Sequence, residues 1–340
     1  VEIAELGGDR VEWDAFVRTA PDGTPFHLTA WRDAVVAAFG HTPRYLVARR
    51  AGAIEGVLPM FEVRGLLGRR ALVSTAYAVY GGLCATTPEA RLELVAAAGA
   101  LARRSRVSHV ELRHVRDQGQ ALPTKELYVA FSREISPRDE DNLEAIPRKQ
   151  RRMVRQGAKH GLTAETGVRH LDDVYDVYAE SVRNLGTPVF PRRLFHALAE
   201  SYGKDCHVLA VFHERRVVAG VLTLLFEDRV LPYYGGARRE AFAYSVNDFM
   251  YWELMRFAAA AGYRVFDFGR SRVGTGSYDF KRHWGFEPKP LPYQYILIGT
   301  DELPDVNPSN PRFRRVIDTW KKLPLPITNR VGPWLTRYLP

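Results

Sequence analysis

The chain reads as two mixed α/β domains in tandem, on three observations. A strand–strand–helix–strand order occurs twice, roughly 155–165 residues apart. Each copy opens on a hairpin signal, two apolar runs parted by a polar turn. A length of 340 residues lets each copy bury a core of its own. A repeat of this size points to a duplicated domain rather than a solenoid. The expected division is a first domain over 1–135, a basic helical connector over 136–162, a second domain carrying the site over 163–300, and a Pro-rich amphipathic tail over 301–340.

In the first copy the hairpin is Tyr45–Phe61, with Gly56 in its second strand. Tyr80-Gly81-Gly82 follows, then a helix over Pro88–Arg104 and a strand over Val107–Arg113. In the second copy the hairpin is His207–Phe226, with Gly220 in the matching place. Tyr234-Gly235-Gly236, a helix over Tyr244–Ala261 and a strand over Arg264–Gly269 complete it. Gly-Gly after a strand marks a bulge or a close backbone approach. Asn247 and Asp248 fall in the first turn of the second helix, where either serves as a cap.

Between the copies, Ser136-Pro137 followed by Asp139, Glu140 and Asp141 reads as a helix start, with acids at the positive end of the dipole. After Pro147, Arg148–Lys159 carries six cations and no acid. At about 100° per residue, Arg148, Arg152, Arg155 and Lys159 share one stripe. Its functional reading is phosphate or nucleic-acid binding; its structural reading is a solvated charged face. In the tail, prolines alternate with Trp320, Leu323, Leu325, Ile327, Trp334, Leu335 and Leu339, and with Lys321, Lys322, Arg330 and Arg337. Residues 320–340 suit peripheral contact with a membrane or packing back onto the body, the reading we favour.

Composition sets the outer limits. Lys and Arg outnumber Asp and Glu by 48 to 39, a net charge of +9 that favours an acidic partner; genome composition is the alternative source of the arginine. Two cysteines, Cys84 and Cys206, are too few for a disulfide framework or a zinc site, and a reducing cytoplasm fits them. From Val1 onward no charged-then-apolar leader is seen, so no signal peptide is expected. No apolar run approaches the roughly 20 residues that span a bilayer. A Walker loop, a Gly-x-Ser-x-Gly elbow, a dinucleotide fingerprint and paired histidines at helical spacing are all missing, so neither a bound metal nor a tightly bound cofactor is expected.

The stretch Phe266–Phe286 carries the chemistry. It starts as an alternating strand, loosens into a loop with Gly269, Gly274 and Gly276, and ends on Tyr278-Asp-Phe-Lys-Arg-His-Trp-Gly285. A strand ending in Asp267 and Arg270 presents both at a sheet edge. The glycines let backbone amides approach a phosphate or a developing oxyanion. Lys281 is placed to stabilise that charge, or to act as an acid with a lowered pKa. Tyr278 and Trp284 are expected as apolar walls, and Phe280 as core. Asp267 has a plainer reading, as the partner of a nearby arginine.

With these residues in hand, the chain resembles the Fem-type transferases, most of all the FemAB-like proteins associated with PEP-CTERM/exosortase and exopolysaccharide loci, which carry a BioF2-like acetyltransferase domain. The matching segments are Leu72–Tyr77 with Tyr80–Gly82, Ile146–Arg155, and Phe266–Ser271 through Tyr278–Gly285. The resemblance implies two tandem GNAT (acyl-CoA N-acyltransferase-like) domains. It implies transfer of an acyl or aminoacyl group to an amine on a small molecule or cell-envelope precursor, in the cytoplasm or at the inner face of the membrane. It implies that Lys281 supports the transition-state charge. Our expected site has Lys281 and Asp267 as catalytic residues and Tyr77, Tyr80, Tyr234, Gly235, Asn247, Arg270, Ser271, Gly274, Gly276, Tyr278 and Trp284 as substrate-binding residues. The co-substrate it implies is aminoacyl-tRNA or acyl-CoA. The peptidoglycan branch takes aminoacyl-tRNA and often carries a coiled-coil arm for it; no long heptad pattern occurs here. Ordinary acetyl-CoA users carry an Arg-x-x-Gly-x-Gly loop; the corresponding Ala237–Ala243 has no glycine.

Overall fold

Residues 1–65, 68–304 and 311–339 are described by a computed structural model, 311–314 by their backbone alone. Pro308 and Pro340 of the expected tail lie outside the described residues. The chain divides into two units, Val1–Tyr128 with Pro290–Val306 and Arg337–Pro340, and Val129–Lys289 with Asn307–Thr336.

The first unit runs β1 (Glu2–Glu5), α1 (Arg10–Thr19), α2 (Thr29–Phe39), β2 (Thr42–Pro43), β3 (Leu46–Arg50), β4 (Ala53–Leu58), β5 (Phe61–Arg64), β6 (Arg70–Ser74), β7 (Cys84–Ala85), α3 (Pro88–Arg104) and β8 (His109–Arg113). The hairpin read from Tyr45–Phe61 is β3–β4, antiparallel, in a sheet ordered β1-β3-β4-β7. β6 pairs β5 antiparallel and β8 parallel. Pro at N1 and the Thr87 hydroxyl, which accepts from Ala90 N, start α3 where the sequence places it. Its apolar face covers Leu46, Leu58, Leu72 and Val110.

β9 (Thr124–Glu134) carries the chain out of the first unit. The second unit continues with α4 (Asp139–Ala145), α5 (Arg148–Lys159), β10 (Leu162–Thr166), α6 (Leu171–Leu185), α7 (Arg192–Tyr202), β11 (Cys206–His213), β12 (Arg216–Phe226), β13 (Arg229–Ala237), α8 (Val246–Ala260), β14 (Val265–Arg272) and α9 (Gly276–His283). β15 (Pro288–Leu297) returns to the first unit and pairs β8, while α10 (Pro311–Trp320) and α11 (Leu325–Thr336) belong to the second. The tail is largely helical among the described residues, which its prolines obscured: Pro311, Pro324 and Pro326 sit at helix starts, and Pro333 lies inside a helix.

In the second unit β10-β11-β12-β13 is an antiparallel meander, and β14 joins β13 in parallel. Strand alternation splits the two sides of this sheet. Ala219 and Val221 face the core that holds Phe249, Met250, Leu254, Phe266, Phe268 and Trp284. Gly220, between them, faces α6. A Cβ there would lie 2.5 Å from Val174 Cγ2 and 3.1 Å from Leu209 O, so only glycine lets α6 sit this close. Gly56 does the same in the first unit, where a Cβ would meet Leu94 and Ala85. The matching glycines are thus helix seats, one for the helix after the hairpin and one for the helix before it. Gly220→Ala is expected to destabilise the protein by about 1–3 kcal/mol through overpacking, while Gly7→Ala, with open space around it, changes little. Urea unfolding midpoints of the two variants measure the difference.

Candidate active site

The ladder between β13 and β14 is short. It consists of Arg229 with Val265 and Val230 with Phe266. Both strands then run on, to Ala237 and Arg272, with no further pairing between them among the described residues. Extending the register sets Tyr234 level with Arg270, on the two sides of this opening. Parallel strands that part leave unpaired backbone groups, which a ligand or a side chain must satisfy.

Lys281 engages the end of β14 and lies near Phe131 of β9. α9 starts at Thr275, whose hydroxyl accepts from Tyr278 N, so the segment expected as a glycine loop is mostly helix. Its inner face carries Lys281 and Trp284. Lys281 is 9% exposed, and its ammonium donates to the carbonyls of Phe268 at 2.7 Å, Arg270 at 2.9 Å and Gly269 at 3.4 Å. Burial pulls its pKa down to about 7; Asp267 opposes the shift and Arg270 adds to it. The three carbonyls converge because β14 kinks at Gly269, where φ is +65°. Asp267 Oδ1 accepts from Gly269 N at 2.7 Å and holds the kink.

The other expected residues fall in distinct places. Ser271 is buried, and its hydroxyl has no hydrogen-bond partner among the described residues. Tyr234 lies in an aromatic cluster with Tyr178, Phe190 and Phe195, at centroid distances of 5.0–5.6 Å. Gly235 points the other way, where a Cβ would lie 3.4 Å from Tyr251 Oη. Gly274 and Gly276 are exposed, with nothing near their missing Cβ atoms. Tyr278 is half-buried, edge-on to Phe131. Trp284 is no open wall: it is fully buried among Phe268, Phe280 and Tyr251. Helical spacing turns it inward with Phe280, which sits where core packing was expected. Tyr77 and Tyr80 pack inside the first unit, Tyr77 stacked on Phe39 with its hydroxyl 2.7 Å from His41 Nε2, and Tyr80 against Phe26.

Two residues were misread and one was missed. Neither Asn247 nor Asp248 caps α8; Ser245 is the N-cap residue, and it makes no side-chain cap bond. Asp248 instead turns inward and accepts from Trp284 Nε1 at 2.9 Å, with burial raising its pKa to about 6. Tyr251, one turn further along α8, lies between Gly235 and Phe268, on the floor of the opening. Burial pushes its hydroxyl up to about 12. An Asp–x–x–Tyr spacing on one helix face was the available signal.

The basic stripe is as the sequence drew it, and wider. Arg148, Arg151, Arg152, Arg155 and Lys159, with Gln156, line a shallow groove of about 430 Å³ along α5. No ion pair engages any of its six cations among the described residues. The opposite face of α5 packs on α8: Val154 is buried, Gly157 abuts Phe249, and Ser245 Oγ donates to Met153 Sδ. The cations therefore point away from α8. No group of His, Cys, Asp and Glu suited to a metal occurs among the described residues.

Residues 143–282, within the second unit, match the family model of the acetyltransferase (GNAT) domain. No curated protein sequence matches the chain. Solved structures do. FemX shares 15% identity over 86% of this chain and 97% of its own, with a TM-score of 0.67. A tandem GNAT protein from the clavulanic acid biosynthesis pathway shares 12% over 88% and 99%, at 0.56. The C-terminal domain of a putative lysylphosphatidylglycerol synthetase from Agrobacterium fabrum shares 14% over 86% and 93%, also at 0.56. The architecture is the tandem GNAT fold, and the segment that matches the GNAT domain model lies in the second unit.

The depressed pKa of Lys281 has a signed consequence. Between about 7 and the ordinary 10.5 the unfolded chain binds this proton and the folded chain does not, so stability rises with pH across that window. Relative to Lys281→Met, the wild type is expected to gain stability between neutral and alkaline pH, read from paired urea titrations. A constant difference across the window would mean the folded lysine keeps its ordinary pKa.

Proposed function

We propose that the second unit transfers an acyl or aminoacyl group from an activated donor to an amine, in the opening between β13 and β14. The observation that carries this reading is the interrupted ladder with a buried ammonium beside it. The parting of the two strands leaves room for an extended donor, and Lys281 brings positive charge to a water-poor site. In the reaction the acceptor nitrogen attacks the donor carbonyl, the C–N bond forms, and the carbonyl oxygen becomes an oxyanion. Collapse breaks the C–O bond of an ester or the C–S bond of a thioester, and the amine's proton passes to the leaving oxygen or sulfur. The long bond from Lys281 to Gly269 O is the one given up, so that its N–H turns to the oxyanion. Asp267 acts through Gly269 as a positioning residue. Ser271 and Arg270 line the donor side, and Tyr251 floors the opening. The aromatic cluster around Tyr234 forms the acceptor wall.

Two features favour aminoacyl-tRNA over acyl-CoA as donor. The turn before α8, Arg239–Tyr244, is a short 3-10 helix without glycine, a poor cradle for a pyrophosphate. The outward cations of α5 offer a backbone-binding surface in its place. FemX and the lysylphosphatidylglycerol synthetase domain share the fold, and we take the acceptor to be an amine of a cell-envelope or exopolysaccharide precursor, met in the cytoplasm or at the inner membrane face.

Lys281→Ala is expected to lower turnover by about 10²–10³-fold with the circular dichroism spectrum unchanged, scored by mass spectrometry of candidate amines incubated with aminoacyl-tRNA or acyl-CoA. Unchanged turnover would remove Lys281 from the chemistry. Reversing Arg148, Arg152, Arg155 and Lys159 to Glu should raise KM for aminoacyl-tRNA and flatten its salt dependence, leaving kcat in place. If acyl-CoA is the donor, the same variant leaves KM unmoved.

A further inference from the structure

The last helix of the second unit presents a surface that the transfer chemistry does not use. α11 lies on α6 with Thr328, Gly332 and Thr336 on its buried side. Just ahead of it, Arg183 Nη1 of α6 donates to Leu323 O at 3.2 Å. On the opposite side stand Ile327, Val331 and Trp334, 46%, 38% and 59% exposed. Their i, i+4, i+7 spacing places them on one face. A helix anchored by one face ordinarily offers water a polar second face; this one offers an aliphatic and aromatic stripe. Arg330 lies on α11 and Lys321 and Lys322 in the turn before it, all three are exposed, and no acid occurs from Thr319 to Thr336.

The two basic surfaces of this unit differ in kind. α5 sits on α8, on one side of the sheet, and exposes cations with no large hydrophobic residue among them. α11 sits on α6, on the other side, and pairs its cations with exposed apolar groups. A polyanion in water satisfies the first; the second also needs an apolar phase. A second copy of the chain would meet the stripe with charges of the same sign, which repel. No helix among the described residues is long and apolar enough to cross a membrane, so contact would be interfacial.

We propose that the exposed face of α11 docks on an anionic lipid bilayer, with Trp334 at headgroup level and Lys321, Lys322 and Arg330 against lipid phosphates. Each cation contributes about five-fold in partitioning to an anionic surface. The test is co-sedimentation of the full chain with phosphatidylcholine vesicles, with and without phosphatidylglycerol. The wild type is expected to prefer the anionic vesicles at least about ten-fold. Lys321→Gln, Lys322→Gln and Arg330→Gln together should abolish that preference, and Ile327→Ser, Val331→Ser and Trp334→Ser together should abolish binding. Should the serine variant misfold, Trp334→Phe serves: it should keep vesicle binding and lose most of the quenching of tryptophan fluorescence by brominated lipid. Absence of wild-type binding, binding lost only on charge reversal in α5, or quenching unaltered in Trp334→Phe would each overturn the proposal. So would a Trp334-dependent dimer in light scattering without vesicle binding.

Discussion

A buried ammonium must be hydrogen-bonded or it will not stay charged, and the second unit is arranged around that constraint at Lys281. Three carbonyls of one strand converge on its Nζ atom. They do so because β14 turns through a left-handed residue at Gly269, held by Asp267. The β13 ladder has already ended at Phe266, three residues before this kink, so the kink shapes the free end of β14 rather than the pairing. The desolvated lysine and the backbone that satisfies it hold α9 against that strand end.

The packing below the site explains why a strained strand end is tolerated. Phe266, Phe268, Trp284 and Phe286 are almost wholly buried and pack edge to face, a mode that adds to simple burial. Trp284 also gives Asp248 a donor, so this buried carboxylate is satisfied. The C-terminal turn of α9 is thereby clamped twice, by β14 through Lys281 and by α8 through Trp284. A mobile lysine would be solvated and ordinary; a clamped one keeps its low pKa.

Charge is distributed by function across the second unit. The ion pairs there bind acids to arginines locally, as Arg238 with Glu180 and Arg256 with Asp139 and Glu253. Among the described residues, no ion pair engages the cations of α5 or Lys321, Lys322 and Arg330; the first set stands beside polar side chains and Arg330 beside apolar ones. Net positive charge in a sequence is a weak guide to partners; which cations lack a local acid, and what stands next to them, is a stronger one.

Much of this was legible along the chain. Apolar runs parted by a polar turn and the 3.6-residue stripe of α5 are set by local pattern, so the duplicated strand–strand–helix–strand order and the basic face could be read directly. Gly56 and Gly220 could be matched by position, and Lys281 singled out by its setting among glycines and aromatics. What no local pattern contains is where strands stop pairing. The early end of the β13–β14 ladder, the convergence of three carbonyls on Lys281, the inward turn of Trp284 and Asp248, and the place of Tyr251 depend on residues brought together from β13, α8, β14 and α9. The helices of the tail were hidden for a related reason: prolines at helix starts read as breakers until packing against α6 supplies the stability that propensity lacks. Sequence determined the elements and the charged faces, because those depend on neighbours within a few residues. Tertiary structure decided which side chains are desolvated, and desolvation is what gives a lysine its chemistry.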